Sequence, residues 1–118
     1  MLDEKDLEFV SALRSMNVPR NVASLITYLS NVDEATSREI EMGTKLRQPE
    51  VSIAMRTLRN NNWIEERDVK VDGKGRSMKV YKLNVPIGEI IKHYEEQKNS
   101  ESAQATQAIQ RLKKMITT

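Results

Sequence analysis

Apolar residues recur at intervals of three and four through much of the chain, a spacing that places them on one face of an α-helix. Two such stretches open the sequence, at residues 3–15 and 19–31, separated by Asn17-Val18-Pro19. Acidic residues at the start of the first stretch suit the positive end of a helix. We therefore predict two helices, whose buried faces comprise Phe9, Val10, Leu13 and Met16 in the first and Val22, Leu25, Ile26 and Leu29 in the second.

A third helix and a tight turn are predicted next. Thr36 and Glu39 have the spacing of a capping box, in which each side chain satisfies an N–H group of the first helical turn. Gly43 can take the left-handed conformation that ends a helix. Leu46, in the turn that follows, is the expected apolar plug.

The next helix, predicted over residues 48–60, has two contrasting faces. Pro49 fits the first helical position, because its missing N–H costs nothing there and its fixed φ is already helical. One face is apolar and should be buried, namely Val51, Ala54, Met55 and Leu58. The opposite face carries hydrogen-bonding side chains about one turn apart, namely Gln48, Ser52, Arg56 and Arg59. With the preceding helix and turn this forms a helix-turn-helix, and such a helix can lie in a DNA major groove.

The outward side chains have chemistry suited to DNA. Arginine can contact guanine O6 and N7 together, which is worth about 1–3 kcal/mol of discrimination between bases. We assign Arg56 to a base and Arg59 to a phosphate. Gln48 can read adenine in the same bidentate way, whereas Ser52 is expected to bind a phosphate. Glu50 favours the helix N-terminus, so we give it a structural role in preference to a contact with cytosine.

A β-hairpin is predicted after this helix. Residues 63–72 are expected to be extended, because valines alternate there with charged residues. Residues 72–75, Asp-Gly-Lys-Gly, are a hairpin turn signal with a basic tip. The return strand, residues 77–83, places Met78 and Val80 on one face and Tyr81 and Leu83 on the other.

The last part of the chain, from Pro86, is predicted to be helical and to form a dimer interface. It carries two apolar stripes, Ile87, Ile90, Ile91 and Tyr94 in the first and Ala105, Ile109, Leu112 and Ile116 in the second. The second stripe steps by four, three and four, the spacing of a coiled-coil seam. One long helix and two helices both fit the pattern. The apolar surface exceeds what a small domain needs to cover its hairpin, so we expect a homodimer; packing within the chain is the alternative.

Charge is distributed unevenly along the 118 residues, a length that suits one domain. Residues 42–82 contain ten basic and five acidic side chains, whereas residues 1–41 contain four basic and eight acidic ones. The positive charge therefore coincides with the helix-turn-helix and the hairpin. Such clustering is typical of a protein that binds phosphate groups along one side, although a face exposed only to solvent would show the same clustering.

The remaining chemistry argues against catalysis. The chain has no cysteine, which excludes disulfides, thiolate metal sites and a cysteine nucleophile. Its single histidine, His93, has no ligand partner nearby in the sequence. We therefore expect no enzyme activity, cofactor or metal. No apolar run approaches about 18 residues and the N-terminus is acidic, so we expect a cytoplasmic protein outside the membrane.

The order of helix-turn-helix, strand, basic turn and strand resembles winged-helix transcriptional regulators of the ArsR, MarR and TrmB-like kinds, found in bacteria and archaea. The resemblance spans about residues 20–84 and is carried by residues 48–64 and by Gly73-Lys74-Gly75-Arg76 with Lys79-Val80-Tyr81-Lys82-Leu83. It implies an α+β, mainly α fold, with three to four helices and a two-stranded wing in residues 1–84. Residues 85–118 would then be a helical dimerisation segment.

The same resemblance implies that helix 48–60 enters the major groove and that the wing, residues 70–79, reaches the minor groove or the backbone. The candidate contacts to double-stranded DNA are Ser37, Arg38, Thr44, Lys45, Arg47, Gln48, Pro49, Ser52, Ile53, Arg56, Arg59, Lys74 and Arg76. Ile53 stands where many relatives have a basic residue. The cysteine motif of metal-sensing ArsR proteins is absent, so no metal sensor is implied.

Two functions follow as hypotheses. The first is a homodimeric, sequence-specific transcriptional regulator. The second is a winged-helix module that binds another protein within a larger assembly. The sequence identifies no operator, regulated gene or small-molecule effector.

Overall fold

The computed structural model describes residues 2–71 and 76–117, with the backbone alone at residues 71, 76 and 117. The elements in these ranges are α1 (Glu4–Ser15), α2 (Arg20–Ser30), β1 (Ala35–Thr36), α3 (Ser37–Thr44), α4 (Gln48–Asn60), β2 (Ile64–Val71), β3 (Arg76–Leu83) and α5 (Ile87–Thr117). None of these helices combines the length and the apolar character that a membrane span requires. The four predicted helices before the hairpin are present, with ends within a residue or two of those expected.

The core lies between α2, α4 and the surrounding helices. All four predicted apolar positions of α4 are at most 3% exposed, and those of α2 are at most 2% exposed. Val10 and Leu13 of α1 are buried, whereas Phe9 and Met16 pack partly buried against the same cluster. Burial of one such aliphatic side chain stabilises the fold by about 1.5–3 kcal/mol. The apolar stripe of α4 therefore fixes which side of that helix faces solvent.

The sheet has three antiparallel strands in the order β1-β3-β2. The hairpin pairs β2 with β3 from Ile64 opposite Leu83 to Val71 opposite Arg76. The short strand β1 was not predicted, and it adds Ala35 opposite Tyr81. Two residues are too few to establish an alternating pattern, so the predicted two-stranded hairpin gains a strand that its sequence did not indicate. The turn predicted at residues 72–75 lies outside the described residues.

The start of α3 agrees with its predicted capping box. The Glu39 N–H donates to Thr36 Oγ1 at 3.2 Å, and the Thr36 N–H donates to Glu39 Oε1 at 3.0 Å. Because Thr36 also belongs to β1, this cap joins the sheet directly to the first helix of the helix-turn-helix. Leu46, the predicted plug of the turn, is 3% exposed.

Two details of the helix ends differ from the prediction. Lys45, and not Gly43, takes the left-handed conformation after α3, with φ at 60° and its N–H donating to the Glu41 carbonyl at 2.9 Å. Gly43 lies inside α3, where the ring of Tyr28 packs against it. Pro49 occupies the second helical position of α4, since Gln48 is the first. Neither position requires the N–H that proline lacks.

The C-terminal segment is a single helix of 31 residues, α5, about 46 Å long at 1.5 Å per residue. Its first part belongs to the core: Ile90 is 0% exposed and Tyr94 is 8% exposed. The prediction that these two side chains form a dimer interface is therefore wrong, because they are buried within their own chain. Ile87 and Ile91 are partly buried against the same core. Beyond Tyr94 every described side chain is exposed, and the molecule is 76 Å in its longest dimension.

Candidate nucleic-acid interface

The solvent-facing side of α4 is a ridge of four exposed residues. Successive residues are about 100° apart around a helix of 3.6 residues per turn, so Ile53 lies almost opposite the buried stripe. The same reasoning aligns Pro49, Arg56 and Asn60 with it. All four side chains are exposed in the structure. We call Pro49, Ile53, Arg56 and Asn60 the outer ridge.

The N-terminus of α4 is held in place by Glu50. Its Oε1 accepts a hydrogen bond from the Arg47 N–H at 3.1 Å, and its Oε2 lies 3.5 Å from the Arg20 guanidinium. The Glu50 carbonyl also accepts a hydrogen bond from Asn21 Nδ2 at 3.3 Å. These contacts attach the start of α4 to α2. They give Glu50 a structural task, in agreement with the role assigned to it from the sequence.

A second row of α4 side chains faces the sheet. Gln48, Ser52 and Arg59 line a shallow depression of about 80 Å³, together with Ser37 of α3 and Tyr81 of β3. Gln48 Nε2 donates to Ser52 Oγ at 3.1 Å. The start of α3, the flank of α4 and the sheet therefore meet on one side of the molecule. We call Gln48, Ser52 and Arg59 the sheet-side row.

An ion-pair network connects α4 to the hairpin. Glu66 of β2 accepts a hydrogen bond from Arg59 Nε, and its other carboxylate oxygen lies 3.5 Å from Lys79 Nζ of β3. The hydrogen bond from Arg59 is the main reason that the pKa of Glu66 is lowered, with both cations adding an electrostatic contribution. Glu66 is thus ionised at neutral pH and holds Arg59 towards the strands. Among the described residues Arg56 has no ion-pair partner.

Most of the residues predicted to contact DNA are on the surface. Those that are exposed are Arg38, Lys45, Arg47, Gln48, Pro49, Ser52, Ile53, Arg56 and Arg59, and Ser37 is partly buried. Thr44 is a correction, since it is only 7% exposed. Its hydroxyl donates to the Ile40 carbonyl at 2.7 Å and accepts from the Leu46 N–H at 3.2 Å, so it closes the turn and leaves no group for a ligand.

The two wing residues lie at the limit of the structure. Lys74 is outside the described residues, and Arg76 is described only by its backbone, at the start of β3. The strands β2 and β3 are described, and Glu66 of β2 contacts Arg59 of the sheet-side row.

Sequence reasoning missed two residues of this surface. Asn60 is the last residue of the helix predicted over residues 48–60, and its position seven residues after Ile53 places it on the same ridge. The alternating pattern of β2 indicates only which face of the strand Glu66 lies on. Its contact with Arg59 depends on the packing of β2 against α4.

Comparison with known proteins bears on the fold. No protein-family model matches the chain, and neither does any curated protein. Solved structures do match. A possible transcriptional regulator from Methanosarcina mazei has a TM-score of 0.62 at 15% identity, over 89% of this chain and 87% of that one.

Two further structures match over most of the chain. A MarR family regulator from Neisseria meningitidis has a TM-score of 0.53 at 15% identity, over 90% of this chain and 83% of that one. NadR, solved in complex with 4-hydroxyphenylacetate, has a TM-score of 0.55 at 13% identity, over 93% and 76%. The chain has a winged-helix fold. In this fold the hairpin of β2 and β3 is the wing, and α4 is the second helix of the helix-turn-helix.

Proposed function

We propose that the protein is a DNA-binding transcriptional regulator whose helix α4 enters the major groove. The observation that supports this most strongly is the exposure of the outer ridge. It is exposed along its length, it carries Arg56 without an ion-pair partner among the described residues, and no part of the described chain covers it. A B-DNA major groove, about 12 Å wide, admits an α-helix.

The residues on and around α4 would contact different parts of the DNA. Arg56 lies on the outer ridge and would read guanine through O6 and N7. Arg38, Lys45 and Arg47 lie on α3 and the turn, beside the start of α4, where they would bind phosphates and fix the register. Arg59 is held by Glu66 on the sheet side, so its role would be contact with the phosphate strand next to the wing.

The wing would extend the contact beyond the major groove. Its turn contains Lys74 between two glycines, and Arg76 follows. Little side-chain bulk at that turn would let the two cations approach a narrow minor groove, whose negative potential attracts them. The regulator is proposed to act as a homodimer through the exposed part of α5. Two recognition helices would then lie about one DNA turn, ~34 Å, apart.

Selection of bound DNA from a random pool tests the proposed function. We expect recovery of a two-fold symmetric sequence, whose affinity falls steeply with salt because each phosphate contact releases condensed counterions. If no sequence is enriched and binding is insensitive to salt, the regulator hypothesis fails. That outcome would favour the protein-interaction module, in which the basic surface is only solvated.

Arg56→Ala should weaken binding to the selected sequence by about 10–100-fold per half-site and relax the preference at one base pair of each half-site. The reason is that a bidentate arginine–guanine contact is worth about 1–3 kcal/mol. Competition binding against all four bases at each position measures it. Arg14→Ala is the matched control, since Arg14 is an exposed arginine in the last turn of α1. Equal losses for the two variants, or an unchanged base preference, would contradict the assignment.

Glu66→Gln should strengthen binding to all DNA sequences by about threefold. The slope of affinity against salt concentration should become steeper by the equivalent of about one phosphate contact. The substitution removes a negative charge from the surface next to α4 and releases Arg59 and Lys79. Its effect on stability should stay below about 1 kcal/mol, since exposed ion pairs contribute little. Glu65→Gln is the control, because Glu65 pairs with Lys82 on the other face of the hairpin. Weaker binding by Glu66→Gln would show that the network positions Arg59 for DNA.

A further inference from the structure

Ile53 is an apolar side chain at the centre of the outer ridge. It is 56% exposed and lies almost opposite the buried face of α4, so the core of the domain does not account for it. Its neighbours on the ridge are Pro49 one turn before it and Arg56 one turn after it. Other exposed apolar side chains, such as Met42 on α3, are outside this ridge.

The edges of the bases in a major groove present donors, acceptors and a single apolar group, the 5-methyl of thymine. A branched aliphatic side chain has no hydrogen-bonding group, and the base-edge group that it complements is that methyl. Placed against cytosine, it would bury the N4 amino group without a partner, which is unfavourable. In a major groove, an isoleucine on this ridge would therefore favour a pyrimidine that has the methyl group over one that lacks it.

The spacing along α4 suits neighbouring contacts. Three residues separate Ile53 from Arg56, a rise of about 4.5 Å along the helix axis. Stacked base pairs are about 3.4 Å apart. If Arg56 reads a guanine, Ile53 comes opposite the adjacent base pair.

We propose that Ile53 is a specificity-determining residue that reads thymine through its 5-methyl group, next to the base pair read by Arg56. The inference rests on the proposed function, because it requires α4 to lie in the major groove. It assigns a direct base contact to the apolar side chain of the outer ridge.

Replacement of thymine by uracil tests this contact, since uracil lacks only the methyl group and keeps every hydrogen-bonding group. Each thymine of the sequence selected from the random pool is replaced in turn, in both half-sites. For the unmodified protein we expect about a fourfold loss of affinity per half-site at one thymine, the equivalent of one buried methyl group. For Ile53→Ala the same replacement should have no effect.

Met42→Ala is the control variant, since it removes a comparable exposed side chain from α3 and should keep the full response to uracil. Thermal unfolding of both variants should match that of the unmodified protein, because neither side chain is in the core. A selected sequence in which no thymine shows a response that depends on Ile53 would overturn this inference and leave the regulator function standing. A pool with no enriched sequence would overturn both.

Discussion

Leu112→Asp is expected to convert the proposed dimer into a monomer at micromolar concentration. In the described chain the residues after Tyr94 are all exposed, and they include Ile109, Leu112 and Ile116 at 52%, 58% and 82% exposure. Their spacing is that of a seam at which two helices supercoil, and a second copy of α5 would cover it. Because a two-fold interface places the substitution in both copies, two buried leucines are lost.

The expected effect on assembly is large. Burial of a leucine is worth about 1.5–3 kcal/mol, and the loss of two would weaken association by at least about 100-fold. Sedimentation equilibrium measures the change directly. Gln107→Asp is the matched control, since Gln107 is exposed on the side of α5 opposite Ile109 and should leave the dimer intact. An unmodified protein that sediments as a monomer at micromolar concentration would contradict the dimer proposal.

The same variant connects assembly to DNA binding. A monomer carries one α4 helix and can occupy only one half-site, so its affinity for the symmetric sequence should fall although the residues proposed to contact DNA are unchanged. Affinity for an isolated half-site should stay the same. This pair of measurements separates a defect of the dimer from a defect of the recognition surface.

The helices before the hairpin could be predicted from the sequence because each has a regular apolar stripe and a start signal. The stripe of α4, for example, predicts which residues are buried and, by exclusion, which face solvent. The capping box at Thr36 and Glu39 depends only on local spacing, and it is present as expected. Periodicity and capping act within one element, so they need no knowledge of the fold.

Features that depend on contacts between elements could not be predicted in this way. An apolar stripe recurs in both parts of α5, and nothing local distinguishes Ile90, buried in the domain, from Ile109, exposed to solvent. Lys45 takes the left-handed conformation although a glycine lies two residues earlier. The ring of Tyr28 from α2 instead packs against Gly43, a contact between residues far apart in the sequence.

The residues of the candidate site also fall into those that a local pattern predicts and those that depend on contacts between elements. The exposure of Arg56 follows from the helical period, whereas the partner of Arg59 follows from how β2 packs beside α4. Thr44 has the polar side chain expected of a surface turn, yet its two hydrogen bonds to the backbone keep it buried. Sequence reasoning therefore locates the face of the helix, and the tertiary structure decides which side chains on that face are available to a ligand.

Gly43→Ala is expected to destabilise the protein by about 1–3 kcal/mol or more, as added volume does in a well-packed core. A Cβ at this position would lie 2.7 Å from Tyr28 Cδ1 and 2.8 Å from Tyr28 Cζ, and closer still to Cε1. Carbon atoms do not approach so closely, and the partly buried ring of Tyr28 packs against the hydrophobic core. The ring and the backbone of α3 must therefore move apart. Urea unfolding followed by circular dichroism measures the loss of stability.

The second described glycine, Gly88, provides a control for this prediction. Gly88 lies in the first turn of α5, and a Cβ there would meet nothing within 4 Å. Gly88→Ala should therefore be neutral or stabilise the protein by up to about 1 kcal/mol, the ordinary gain from alanine in a helix. The same chemical change is thus expected to have opposite signs at two helical positions of one chain.

A double-mutant cycle attributes the cost to the ring. In a Tyr28→Leu background, the smaller side chain should accept the new methyl group, so Gly43→Ala should cost less than about 1 kcal/mol there. An equal cost in both backgrounds would mean that the backbone of α3, and not Tyr28, requires glycine.

The same substitution should also affect DNA binding. Since Gly43 lies two residues before the left-handed turn at Lys45, the Gly43→Ala protein should bind DNA less tightly, and the Tyr28→Leu change should recover part of that loss. Parallel recovery of stability and of DNA affinity would connect the packing of α2 against α3 to the position of α4.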